Sequence, residues 1–89
     1  MIRIYKYELT EAHTEIIAPI LQILDIQMQE GRPVMWALVN TDSELRKTVN
    51  VRMFWTGQSV DTNILKEYKY FKTLQDGMGL VWHAFIQKY

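Results

Sequence analysis

Leu24-Asp25-Ile26-Gln27-Met28-Gln29-Glu30-Gly31-Arg32-Pro33-Val34-Met35-Trp36-Ala37-Leu38-Val39 carries the strongest structural signal in this 89-residue chain. Leu24, Ile26 and Met28 alternate with Asp25, Gln27 and Gln29, the period of two that turns one face of a strand to a core and the other to water. Glu30-Gly31-Arg32 supplies a turn, with Gly31 free to take positive φ and Pro33 closing it. Val34 to Val39 is apolar on both faces, which predicts a central strand covered on both sides. The pair reads as a β-hairpin.

Strand chemistry continues on either side. Ile2 to Leu9 alternates and is rich in β-branched and aromatic residues, which pack well on a pleated surface. Glu11-Ala12-His13 breaks that run, leaving His13 as a solvated turn residue. Thr14 to Ala18 is a short β-prone piece that Pro19 confines to an edge or a strand end, because proline cannot donate to a ladder. Beyond the polar turn Asn40–Glu44, Lys47 to Thr56 alternates again. Val49, Val51, Met53 and Trp55 form one face, and Asn50, Arg52 and Phe54 the other. Gly57 ends it. Gln58 to Glu67 reads either as a short helix capped by Asp61, running from Thr62 to Tyr68 with Ile64 and Leu65 inward, or as a loop with one turn. Tyr70–Leu74 and Leu80–Ile86 are strand-like, and the latter is apolar on both faces.

Six or seven short strands joined by tight turns predict an all-β, antiparallel sandwich or small barrel over residues 1–89, a single domain with no internal boundary. Two strands apolar on both faces need two cover layers. A chain this short hardly supplies both, so a second copy is expected to provide one, as a homo-oligomer, most simply a twofold dimer.

Composition narrows the functional classes. Ten basic residues balance ten acidic ones, which leaves little of the counterion-release affinity of nucleic-acid binders. The absence of cysteine removes disulfides, thiolate–zinc sites and thiol catalysis, and fits a reducing cytoplasm. Apolar runs such as Val34–Val39 fall far short of the ~20 residues that span a bilayer, and no apolar segment follows Arg3 and Lys6 as in a signal peptide. His13 and His83 lack metal-ligand spacing, so no metal or cofactor is expected. No paired carboxylates and no nucleophile-elbow glycines appear, so no catalytic residues are assigned and no enzyme is predicted.

The candidate binding residues are Arg46, Arg52, Trp55, Gly57, Gln58 and His83. Arg46, Lys47 and Arg52, with Lys66, Lys69 and Lys72, would hold phosphates if they met; the plainer alternative is a charge-mixed, solvated surface. Gly57 and Gln58 offer free backbone and amide donors at a turn. His83 lies opposite Trp82 and suits a polar or anionic ligand; otherwise it is a satisfied interface residue. Trp36, Trp55 and Trp82 suit either base stacking or core packing. Trp36 and Trp82 read as core, and Trp55, at a strand end, as the most exposed.

Ile4-Tyr5-Lys6-Tyr7, Ile23-Leu24-Asp25-Ile26-Gln27 with the Gly31 turn, Trp36-Ala37-Leu38-Val39, Thr56-Gly57 and Val81-Trp82-His83-Ala84-Phe85 occur in an order that resembles a family of small bacteriophage and prophage proteins without an assigned activity. The likeness spans nearly the whole chain. It departs at Gln58, where the family tends to have histidine, and in a longer Asp61–Glu67 stretch. The resemblance implies a setting in the cytoplasm of an infected bacterium. It also implies an accessory role, as an inhibitor of host antiviral defence that sequesters a small anionic nucleotide between subunits. The alternatives are an inhibitor that masks a host protein surface directly, and a phage structural or housekeeping protein.

Overall fold

A computed structural model describes residues 1–88. The hairpin forms as expected. β3 (Ile20–Gln29) and β4 (Arg32–Asn40) pair antiparallel and are joined through Glu30 and Gly31, both at positive φ (53° and 78°), the backbone of a tight primed turn. β4 is the central strand of a three-stranded sheet, flanked by β3 and by β1 (Ile2–Glu8). The second sheet has four strands in the order β2-β5-β7-β6, from β2 (His13–Ala18), β5 (Lys47–Trp55), β6 (Tyr68–Gln75) and β7 (Val81–Gln87). Every pairing is antiparallel. The two sheets stay open as a sandwich rather than closing into a barrel.

Pro19 alone separates β2, an edge strand, from β3, so the chain changes sheets at the residue that cannot continue a ladder. The core lies between the sheets. Met35, Ala37 and Val39 of β4, Ile26 of β3, Val49, Val51 and Met53 of β5, and Trp82 and Ala84 of β7 are all buried there. His13 is not a turn residue: it opens β2, and its Nε2 lies 2.8 Å from Asn50 Oδ1.

Two expected inward residues point out. A bulge between Ile23 and Asp25 shifts the phase of β3, so Leu24 is exposed (38%) and Ile23 packs on the core in its place. The 58–68 segment does contain a helix, α1 (Thr62–Glu67), with the Asp61 carboxylate accepting from the Asn63 N–H at 2.8 Å. It ends before Tyr68, which begins β6, and Leu65 is exposed (68%) while Ile64 is buried. One short turn of helix has room for a single inward side chain.

Of the two strands read as apolar on both faces, only β7 has an outer cover among the described residues of the chain. β5 and β6 both run antiparallel to β7, which lies between them, so the α1 connection crosses β7 on the outer side of the four-stranded sheet. Ile64 then packs with Phe54 and Tyr68 against Phe85. β4 has no such cover: its outer residues Trp36 and Leu38 are half-buried, so Trp36 is not core. Their neighbours on β1 are Lys6 and Ile4, and Ile2 and Ile4 are exposed at 62% and 61%.

Candidate functional site

Register places the polar and aromatic residues of four strands on one surface. On the outer face of the four-stranded sheet Arg52 sits opposite His13 on β2 and opposite Phe85 on β7, and Phe85 sits opposite Tyr70 on β6. These four form one row across the sheet, because directly paired residues share a face. Phe54, next along the same face of β5, faces His83.

Arg52 is half-buried, its guanidinium carbon 5.8 Å from the centroid of the Phe54 ring. Among the described residues it makes no ion pair and its side chain has no hydrogen-bond partner. A planar cation held on an aromatic face, with its N–H donors free, is a preformed receptor for carboxylate or phosphate oxygens. Around it Phe85 makes edge-to-face contacts with Phe54 (5.7 Å) and Tyr70 (5.8 Å).

Two hydrogen-bonded chains border this centre. His13 Nε2 meets Asn50 Oδ1, and Asn50 Nδ2 donates to Gln87 Oε1 at 2.8 Å. On the other side His83 Nε2 lies 2.9 Å from Thr56 Oγ1 and Nδ1 lies 3.0 Å from Thr73 Oγ1, which is 2.8 Å from the Tyr70 hydroxyl. Both His83 nitrogens are thus engaged by hydroxyls, which fixes the ring.

The other sequence candidates fall in different places. Trp55 is three residues from Arg52 and so on the opposite face of β5, stacked edge-to-face on Trp82 at 5.9 Å and 47% exposed. Trp82 is buried. Trp55, Gly57 and Gln58 share one turn, but Gln58 closes it. Its N–H donates to the Trp55 carbonyl and its Oε1 accepts from the Trp55 N–H, both at 3.1 Å. Arg46 lies before β5 and donates through Nη1 to the Ser43 carbonyl at 3.1 Å. Six residues of extended chain separate it from Arg52, roughly 20 Å at strand rise. Burial and neighbouring Tyr5 raise the pKa of the Tyr7 phenol, and Arg46 acts on it in the opposite sense. With its own partner at Ser43 and about 20 Å of strand between them, Arg46 does not share a pocket with Arg52.

Sequence reading passed over His13, Phe54, Tyr70, Phe85, Asn50 and Gln87 as site residues. The alternation Asn50/Arg52/Phe54 pointed to this face of β5, but only strand order brings the rest beside it. Among the described residues no group of three His, Asp or Glu side chains could hold a metal ion, and no helix is long and apolar enough to cross a membrane.

Fold and surface together define an open two-sheet β-sandwich with a polar, aromatic face centred on Arg52 on its larger sheet. The chain belongs to the family described as Domain of unknown function (DUF7352), whose model matches residues 1–89. No curated protein and no solved structure matches it.

Proposed function

We propose that this chain is a non-catalytic binding protein that captures a small nucleotide-like anion on the outer face of its four-stranded sheet and works as a homo-oligomer. The observation that carries the reading is Arg52, half-buried on Phe54 with no carboxylate partner among the described residues. An arginine in that setting binds phosphate without first breaking an ion pair. Exposed Tyr70, in the same row beside the partly covered Phe85, offers ring surface to a base, and His13 offers a polar contact at the far end. The uncovered outer face of β4 is where a second copy would sit.

In biological terms this is a phage-type accessory protein acting in the host cytoplasm against a nucleotide-signalled defence. Trp55, Gly57, Gln58 and Arg46 then lie outside the primary contact, which moves the site from the turn after β5 to the middle of the sheet. The test is an amide NMR titration with linear and cyclic mono- and dinucleotides. Saturable shifts confined to Arg52, Phe54, Tyr70 and Phe85 are expected; no shift there with any of them rejects the site.

A second reading, direct masking of a host defence protein, draws on β1. It is a sheet-edge strand presenting exposed Ile2, Ile4 and Tyr5, the geometry that accepts an added strand. Stoichiometric capture of one host protein from infected lysate, lost in Ile4→Glu and retained in Arg52→Ala, would favour it over nucleotide capture.

A further inference from the structure

The open side of the sandwich, where the edge strands β3 and β6 approach each other, holds a second kind of surface. Both strands are bulged there, β3 between Ile23 and Asp25 and β6 between Tyr70 and Lys72. Asp25 and Lys72 pin the edges together at 2.8 Å, the one ion pair between the sheets among the described residues. Beside the pin lies a groove of about 330 Å³ lined by Ile23, Lys69, Phe71, Ile86 and Lys88, with Tyr70 and Gln87 at its wall. Ile23, Phe71 and Ile86 pack against the margin of the core, so the floor is apolar and continuous with it. Opposed bulges that re-aim side chains at a sheet edge are a recurrent way to shape a site.

The rim is cationic. Lys69 is paired with Ile86 in register, so its stem shares a face with the floor. Neither Lys69 nor Lys88 forms an ion pair among the described residues, and Lys88 Nζ reaches only the Leu65 carbonyl, at 3.5 Å. The neighbouring carboxylate, Asp25, is occupied by Lys72. An apolar floor with two ammonium groups free of ion pairs at its mouth complements a molecule with an alkyl body and one anionic head. It offers little to the hydrogen-bonding edges of a base. The volume is at the low end of the roughly 300–1,000 Å³ of small-molecule sites.

We infer that this groove binds an alkyl carboxylate, its chain on Ile23, Phe71 and Ile86 and its carboxylate between Lys69 and Lys88. The groove meets the Arg52 surface at Tyr70 and Gln87, but its floor of Ile23, Phe71 and Ile86 lies on the inner side of the sheet and reports on the groove alone.

The experiment is a methyl and amide NMR titration with sodium decanoate below its micelle-forming concentration, beside 1-decanol and acetate. Decanoate should give saturable shifts at Ile23, Phe71 and Ile86, and acetate none. Decanol and the Lys69→Gln/Lys88→Gln double variant should each bind about tenfold more weakly, the scale of one lost charge-assisted contact. Both lysines are exposed, so the variant keeps the fold, which its own spectrum verifies. The inference is overturned if decanoate leaves those residues unshifted, if decanol binds as tightly, or if the lysine variant binds decanoate unchanged. Nucleotide shifts around Arg52 report on the other site and are read in the same spectra.

Discussion

Glu30 and Gly31 carry the sharpest backbone demand in the chain, since both central residues of the hairpin turn sit at positive φ. Gly31 meets it freely, and the glycine made that half of the turn legible in the sequence. Glu30 does not, because a left-handed conformation costs a residue with a Cβ roughly 1–2 kcal/mol. Glu30→Asn, better tolerated there, should therefore raise the thermal midpoint by a few degrees, and Gly31→Val should lower it, as calorimetry would show. Arg52 was also visible, as the basic member of an alternating strand. Its aromatic seat on Phe54 is not legible, and neither is the absence of an ion pair with Glu15, which β2 places on the same face opposite Asn50. Met35, fully buried at the centre of β4, tests the packing side: Met35→Ala should cost about 2–5 kcal/mol in urea unfolding.

Strands are legible where alternation is uninterrupted, as in β1 and β5, or where the run is apolar throughout, as in β4, and spacing misleads where a bulge or a short helix resets the phase. Leu24 and Leu65 both looked inward by spacing. The bulge in β3 turned the first outward, and the second lost its place because a one-turn helix buries only Ile64. Ile64→Ala should thus destabilise by about 2–4 kcal/mol while Leu65→Ser changes stability by less than about 0.5, a contrast measurable in one denaturation series. The link between β3 and β6 is pH-dependent. Burial raises the Asp25 pKa, but hydrogen bonds from Lys72, Gln27 and the Ile26 N–H together outweigh it, leaving the carboxyl below its usual value. A depressed folded-state pKa means stability that is present above the unfolded value and lost as pH falls through the folded one. Asp25→Asn should remove that component, flattening the acid limb of the stability profile below about pH 4 relative to wild type.

At the scale of the whole molecule, the unequal covering of β4 and β7 explains why an 89-residue chain shows two apolar outer surfaces and closes only one. α1 serves β7, a role invisible in the sequence because it depends on β7 lying between β5 and β6. Trp36, Leu38, Ile2 and Ile4 stay uncovered, which motivates the homo-oligomer. Light scattering at micromolar concentration should give about twice the 10.6 kDa chain mass, reverting to one chain in Ile4→Glu. The central claim is the Arg52 surface, and thermal unfolding with a panel of linear and cyclic nucleotides tests it most directly. A nucleotide at about 100 times its dissociation constant adds about 2.7 kcal/mol, on the order of 10 °C for a domain this size. The account predicts such a rise with at least one nucleotide for wild type and none for Arg52→Ala. A midpoint that moves with no nucleotide, or moves equally in the variant, would contradict it.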